Sequence, residues 1–209
     1  MQSIAYRLAR GWLYNGTLVG LILVLVSCAI QPVTTAAPTA QGVRPRCDET
    51  QGQMLREQLI SASYGRQQTY RVYLPPCYAQ NTAARYPVIY LLHGGGHDDA
   101  YWEDLGIGTI ASQLIADGTI PPVMIVLPNG NGSFGSRDGD PPPFTDHIIN
   151  ELIPRIDATY RTQANRAHRA IGGISLGGAW ALLLASQFSE LFSAVGGHSP
   201  AVGTVNWSV

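Results

Sequence analysis

The ten residues IGGISLGGAW, 171–180, place Ser175 between Gly173 and Gly177 in the pattern Gly-x-Ser-x-Gly. The apolar run 170–173 before the serine predicts a short strand, and GGAWALLLASQF, 177–188, predicts a helix after it. A serine on so sharp a strand-to-helix turn needs small neighbours, and the turn presents its hydroxyl beyond the carboxyl end of the strand. Ser175 is therefore the candidate nucleophile.

A second glycine-rich segment, LLHGGGHDD at 91–99, directly follows the apolar run VIYLL at 88–92. Successive glycines let backbone N–H groups point into one small volume, where they can stabilise the oxyanion that forms when an ester carbonyl is attacked. We predict one donor at Gly95 or Gly96 and the other at Leu176, the residue after the serine. A flexible turn is the alternative. A phosphate-binding loop is excluded, because the chain has no lysine and lacks the glycine spacing of a dinucleotide site.

Strand-like and helix-like segments alternate along the domain. Residues 69–74 alternate with period two, whereas the runs 88–92 and 123–127 are continuously apolar, as expected of strands covered on both faces. Helices are predicted at 105–116 and after Asp146, the second one distorted by Pro154. A buried strand is predicted at 192–197. This alternation indicates an α/β fold with a mostly parallel sheet.

The first 46 residues predict a targeting segment and a tether. Residues 1–27 combine a basic start with the apolar run 18–26, which is short of the roughly 20 apolar residues that a membrane span needs. Their end, LVSC at 25–28, resembles the lipobox of bacterial lipoproteins, so we expect cleavage before Cys28 and lipid attachment to it. An uncleaved anchor or an ordinary secretory signal is the alternative. Residues 28–46 contain small residues and proline without an apolar face, which predicts a flexible tether.

These features predict an exported protein, secreted or held by lipid on the outer side of a bacterial membrane, with one folded domain at 47–209. A hydrophobic content of 45% can supply one full-sized core. Loss of residues 1–27 would move the net charge from −1 to −3, so no basic field indicates nucleic-acid binding. The sequence implies no cofactor, shows no metal-ligand cluster and does not indicate an oligomeric state.

Cys47 and Cys77 are the two cysteines beyond the expected lipid site. In an exported protein such a pair favours a disulfide, whereas a metal site would need more ligands at closer spacing. We expect a disulfide that joins the first residues of the domain to the end of its first long strand. Two unpaired buried thiols are the alternative.

Four segments together resemble the esterase D-like branch of the α/β-hydrolase superfamily: YPVIYLLHGGGHDDAYW, VMIVLPNG, INELIPRIDATYRT and RAIGGISLGGAWAL. That branch includes feruloyl and acetyl-xylan esterases, enterochelin esterases, S-formylglutathione hydrolases and mycolyltransferases of the antigen 85 type. The resemblance covers 67–200 and implies a three-layer α/β-hydrolase sandwich. It also implies a serine carboxylic ester hydrolase, acting on a small-molecule or carbohydrate-linked ester, with a triad in the chain order Ser-Asp-His.

The sequence departs from that pattern after Ser175. No Asp or Glu follows Glu190, and His198 is the only histidine downstream of the serine. His198 is either a substitute base or a residue of the pocket wall. We favour the pocket wall, because a base needs an orienting carboxylate. The expectation is then a chain that lacks its C-terminal part, together with the triad acid and histidine, and that is a very poor enzyme.

Four acids could approach the carboxyl edge of the sheet from loops: Asp98, Asp99, Asp138 and Asp140. Among the remaining histidines, the resemblance implies that His93 braces the oxyanion loop, and His97 lies just beyond it. We expect His147 and His168 on the solvated surface. Three functional alternatives stay open: an acyltransferase, an inactive surface lipoprotein that keeps the scaffold for binding, and a complete short hydrolase that uses His198.

Overall fold

The computed structural model describes residues 47–131, 134, 143–205 and 207. In these ranges six strands form one sheet: β1 (Gln53–Ser61), β2 (Arg66–Leu74), β3 (Val88–Leu92), β4 (Met124–Pro128), β5 (Arg169–Ile174) and β6 (Ala194–His198). The α-helices are α1 (Tyr101–Asp104), α2 (Ile107–Ala116), α3 (Pro143–Asp146), α4 (Ile153–Thr159) and α5 (Leu176–Gln187). A π-helical segment, His147–Leu152, lies between α3 and α4, and 3₁₀ turns occupy Arg166–His168 and Val202–Thr204.

The strand order across the sheet is β1-β2-β4-β3-β5-β6. The pairs β1–β2 and β2–β4 are antiparallel, whereas β4, β3, β5 and β6 run parallel to one another. The carboxyl ends of the four parallel strands therefore meet at one edge, where open α/β sheets place their ligand sites. The loops after β3, β4, β5 and β6 all emerge at this edge.

Helices cover both faces of the sheet and produce three layers. On one face, Val88, Tyr90 and Leu92 of β3 belong to the larger core cluster, with side chains from the π-helical segment, α4 and α5. On the other face, Ile125 and Leu127 of β4 pack in a smaller cluster with side chains of α2. Alternate residues of one strand point to opposite faces, which explains why the central strands are apolar throughout. The predicted α/β fold with three layers and a mostly parallel sheet is confirmed.

Two sequence expectations about strands need correction. β1 was not predicted, because this edge strand has only one fully buried residue, Ser61, and so carries a weak apolar signal. The predicted buried strand at 192–197 is β6, which begins at Ala194 and is exposed along its whole length. β6 pairs only with β5 in the described part of the chain, so one of its edges has no strand neighbour there.

The helix predicted after Asp146 is interrupted as expected. Its first turns, His147–Leu152, are π-helical, and Pro154 lies at the start of α4. Proline lacks an N–H group and is tolerated in the first turn of a helix, so the irregular segment ends where α4 begins.

The predicted signal peptide at 1–27, the lipid site Cys28 and the tether at 28–46 lie outside the described residues. Within the ranges that are described, no helix is both long enough and apolar enough to cross a membrane.

Cys47 and Cys77 form a disulfide across 30 residues, with their Cα atoms 5.7 Å apart. Glu49 lies beside the two sulfurs, but their covalent bond makes thiolate ligation of a metal at this cluster impossible. Instead, the Glu49 carboxylate accepts hydrogen bonds from the Cys77 backbone N–H and the Gln80 side chain. The bond thus ties the start of the domain to the turn after β2.

We expect replacement of both Cys47 and Cys77 by serine to lower the free energy of unfolding by about 3–4 kcal/mol, because the crosslink restricts the unfolded chain over a loop of this length. Urea denaturation of the oxidised protein and the double variant measures the difference. Indistinguishable unfolding free energies would show that this crosslink contributes nothing to stability.

Candidate active site

Ser175 lies on the turn between β5 and α5, with its side chain exposed at the carboxyl edge of the sheet. Its backbone angles, φ 52° and ψ −117°, are unusual for a residue other than glycine. Such a conformation costs on the order of 1–3 kcal/mol and persists only where its surroundings hold it. Here its N–H donates to His198 O at 2.9 Å, and its carbonyl accepts from the N–H groups of Ala179 at 3.1 Å and Ala201 at 2.9 Å.

The glycines around the serine are required by close backbone approach. A methyl group added to Gly173 would lie 2.6 Å from the Gly177 carbonyl, and one added to Gly177 would lie 2.6 Å from Leu92 O. Both separations are shorter than any ordinary contact to a methyl carbon. The β5–α5 turn therefore fits against the end of β3 only because these two positions lack side chains.

The glycine-rich loop after β3 lies against the first turn of α5. A methyl group added to Gly95 would be 3.4 Å from Leu176 Cδ2. Leu176 is the first residue of α5, where backbone N–H groups have no acceptor within the helix. Gly96 has φ +80°, which glycine adopts without strain. The structure thus places Gly95 beside Leu176, the residue that follows the exposed Ser175.

His93 holds the start of this loop from a buried position, 1% exposed. Its Nδ1 lies 2.7 Å from Gly94 O, and its Nε2 lies 2.8 Å from the N–H of Gly130. Because a carbonyl accepts and an N–H donates, the imidazole is neutral with its proton on Nδ1. Burial lowers the pKa of His93 and so favours this neutral form, against the hydrogen bond to Gly94 O. The predicted bracing residue therefore links the oxyanion loop to the loop after β4.

Aromatic rings pack behind His93. The centroid of the Phe134 ring lies 4.6 Å from that of the His93 ring. Phe144 and Trp180 complete the aromatic cluster and meet edge to face, with their ring centroids 5.6 Å apart. Phe134 and Phe144 are fully buried. This apolar wall excludes water from one side of His93, which is the physical cause of its lowered pKa.

A polar cleft of about 460 Å³ borders the glycine-rich loop after β3 at Gly96. Its lining includes the rings of His97 and Tyr101, with centroids 4.4 Å apart, and the side chains of Asp104 and Asn129. Rings flanked by carboxylate and amide groups can pack against an apolar face while bonding to neighbouring hydroxyls. The cleft is thus suited to a hydroxyl-rich ligand.

His198 is the last residue of β6 and pairs with Ile174, directly before the serine. The contact between His198 and Ser175 is through the backbone, because the His198 carbonyl accepts the Ser175 N–H. The His198 side chain is exposed, and no described carboxylate forms an ion pair with it. The described residues therefore supply neither a hydrogen-bonded base for Ser175 Oγ nor an acid to orient His198.

The candidate acids at the sheet edge have other partners. Asp98 accepts the N–H of Ala100, and Asp99 is buried and paired with two arginines, Arg56 and Arg71. Asp138 and Asp140 lie outside the described residues. Neither Asp98 nor Asp99 forms an ion pair with a histidine in the described structure.

Of the two histidines predicted on the surface, His168 is exposed and His147 is fully buried. His147 Nδ1 lies 2.9 Å from Glu151 Oε2 and 3.1 Å from Ser61 Oγ, so the prediction for His147 was wrong. Burial lowers the pKa of His147, against the hydrogen bond and charge of Glu151. The π-helical segment turns this side chain toward the β1–β2 hairpin, which no local pattern revealed.

Two sets of supporting contacts, made by Trp102 and Asp99, were not predicted from the sequence. Trp102 Nε1 donates to Leu92 O, the last carbonyl of β3, at 3.0 Å. Asp99 binds side chains from β1, β2 and the loop after β4. The alternation in β2, which places Thr69 and Arg71 on one face, was the only sequence signal for such a partner.

We expect Gly177→Ala to lower the free energy of unfolding by about 2–3 kcal/mol, because the added methyl group collides with the β3 backbone. Gly196→Ala is the matched control, since nothing lies within 4 Å of a methyl group added there. Urea denaturation measures both, and a cost for Gly177→Ala no larger than that for Gly196→Ala would contradict the close packing of the turn.

Comparison with known proteins agrees with this geometry. Residues 61–207 match the Esterase family, described as "Putative esterase". An endo-1,4-beta-xylanase/feruloyl esterase of Xylanibacter ruminicola is 36% identical over 157 residues, which are 70% of this chain and 21% of that protein. The chain thus spans about a fifth of that curated relative.

Solved structures give the same assignment. A ferulic acid esterase is 31% identical with a TM-score of 0.67, and the match covers 72% of this chain and 59% of the other. An S-formylglutathione hydrolase from Agrobacterium tumefaciens, 21% identical, shares the fold with a TM-score of 0.61, covering 76% of this chain and 62% of the other. The chain therefore belongs to the Esterase family, in the esterase D-like branch of the α/β-hydrolase superfamily.

Proposed function

We propose that the protein is a serine carboxylic ester hydrolase with Ser175 as its nucleophile. The observation that carries this proposal is the exposed, strained Ser175 beside a glycine loop that contacts Leu176. Membership of the Esterase family supports the reaction class. The residues that would bind the oxyanion are Gly95 or Gly96 from the loop and Leu176 from the start of α5.

In the first half of the reaction, Ser175 Oγ forms a bond to the acyl carbon while a base takes the hydroxyl proton. The carbonyl oxygen becomes an oxyanion, which the backbone N–H groups stabilise. The intermediate then collapses, the ester C–O bond breaks, and the proton passes to the leaving alkoxide. Water attacks the acyl-enzyme in the second half and releases the acid and the free serine.

We assign His198 to the wall of the site. Its ring has no carboxylate partner among the described residues, and a neutral imidazole without an orienting acid is a poor general base. Its contribution is the carbonyl that accepts the Ser175 N–H and so holds the serine backbone. The base of the reaction is a different group.

For the substrate, we propose an ester of a hydroxycinnamic acid linked to a carbohydrate. The support comes from the 36% identical feruloyl esterase and the 31% identical ferulic acid esterase. Transfer of the acyl group to a sugar hydroxyl rather than water would use the same residues and would make the protein an acyltransferase.

We further propose export of the protein and lipid attachment at Cys28. The support is the lipobox-like end of the predicted signal and the Cys47–Cys77 disulfide, since disulfides persist in oxidising compartments.

A fluorophosphonate probe tests the nucleophile. We expect mass spectrometry to locate the label on Ser175 of the wild-type chain and Ser175→Ala to take up none. Ser186→Ala, which removes the hydroxyl of an exposed α5 serine bonded to Leu183 O, should label like the wild type. A label found on another residue, or labelling that persists in Ser175→Ala, would overturn the assignment.

The same probe decides the role of His198. As a wall residue, His198→Ala should label at a rate within about threefold of the wild type. A loss of about 10²-fold or more, the size typical of a missing general base, would instead make His198 the base.

Lipid attachment is tested by labelling with radioactive palmitate in a bacterial host. We expect incorporation into the wild-type chain and into Ser27→Ala, which keeps a small residue before the cysteine, and none into Cys28→Ser. Equal incorporation into the Cys28→Ser chain would contradict the proposed lipid site.

A further inference from the structure

Asp99 is a buried carboxylate at the end of the glycine-rich loop, with its side chain 1% exposed. Oδ2 accepts from Arg56 Nε at 3.3 Å and from Arg71 Nε at 3.2 Å. Oδ1 accepts from Thr69 Oγ1 at 3.1 Å and lies 3.5 Å from Asn129 Nδ2. One carboxylate thus joins β1, β2 and the loop after β4.

Burial of a carboxylate is costly unless charge and hydrogen bonds compensate it. Arg71 is itself largely buried and also pairs with Glu103 of α1, whereas Arg56 is more than half exposed. The two arginines therefore have their guanidinium groups directed at Asp99 from neighbouring strands. Such a convergent set of donors fixes the carboxylate in one place.

Asp99 is the residue at the C-terminal end of the glycine-rich loop. Residues 94–98 include the predicted oxyanion donors, and they lie between His93 at one end and Asp99 at the other. Gly95 and Gly96 are exposed and have no side chains to hold them. The loop is held at its two ends, by its contact with Leu176, by a turn in which the His97 N–H donates to Gly94 O, and by the His97 ring against Tyr101.

Both ends are linked to the same loop after β4. His93 Nε2 accepts the N–H of Gly130, and Asn129 bonds to Thr69 Oγ1 at 3.0 Å beside Asp99. Asn129 Oδ1 also accepts the N–H of Asn131. The Asp99 network and the His93 bridge thus meet in consecutive residues.

We propose that Asp99 is a positioning residue for the oxyanion loop, acting from its far end as His93 acts from its near end. Asp99 touches no reacting atom. It holds the backbone of residues 95–98 at the distance from Leu176 that oxyanion binding requires. The catalytic consequence rests on the proposed hydrolase function, whereas the effect on the loop does not.

The test compares Asp99→Asn with Asp157→Asn in the full chain. Asp157 is a matched control, because it also pairs with an arginine, Arg169 at 2.7 Å, and accepts from a threonine, Thr162 at 2.8 Å. The Asp157–Arg169 pair lies where β5 begins, at the amino ends of the parallel strands rather than at their carboxyl ends. Both variants should lose stability, but only Asp99→Asn removes a contact of the oxyanion loop.

The primary readout is the ¹⁵N order parameters of the Gly95 and Gly96 amides. In Asp99→Asn they should fall from the rigid-backbone value of about 0.85 to below about 0.6, with β4 unchanged. In Asp157→Asn they should stay at the wild-type value. Equal order parameters of the loop in the two variants would overturn the positioning role, whether or not the protein hydrolyses any ester.

The second readout is ester hydrolysis with p-nitrophenyl acetate. Misplaced oxyanion donors act on the transition state, so Asp99→Asn should lower kcat by about 10- to 100-fold while KM changes by less than about threefold. A parallel rise in KM with kcat retained would contradict the proposal. If the wild type hydrolyses no ester, only the proposed function is contradicted. The order parameters test the positioning role of Asp99 independently of catalysis.

Discussion

The backbone of Ser175 is the constraint on which the rest of the site depends. A non-glycine residue at φ 52° is held against its own preference by three backbone hydrogen bonds, to residues of α5, the end of β6 and the segment after it. These partners lie in separate parts of the chain. The exposed hydroxyl is therefore presented only when β5, α5 and β6 are packed together, which couples the Ser175 conformation to the folding of the sheet.

The glycine-rich loop after β3 has to be held in place by residues outside its glycines. Gly95 passes beside the Leu176 side chain, and the consecutive glycines give this part of the loop no side chains of its own to hold it in place. The structure meets this need with polar side chains at both ends of the loop, His93 and Asp99. His93 bonds to Gly130 and Asp99 lies 3.5 Å from Asn129, so both ends of the glycine-rich loop contact consecutive residues after β4.

The central elements were predictable because each is determined by its own residues. β3, β4 and β5 are continuous apolar runs covered on both faces, and the Gly-x-Ser-x-Gly turn allows only one backbone course. The outer strands were less predictable. β1 gave no clear signal because little of it is buried, and β6 was predicted as a buried strand although it is exposed. His147 was placed on the surface because its neighbours in sequence do not show the π-helical turn that buries it.

The Gly-x-Ser-x-Gly turn, the glycine-rich loop after β3 and the α/β layering could be predicted from the sequence, because local backbone geometry and burial periodicity demand particular residues at particular spacings. The contacts between polar groups could not be predicted in this way, because they join distant parts of the chain. Asp99 reaches Arg56 and Arg71 across 43 and 28 residues, and His147 reaches Ser61 across 86. Strand order and register determine these pairings, and neither can be predicted from any single segment of the chain.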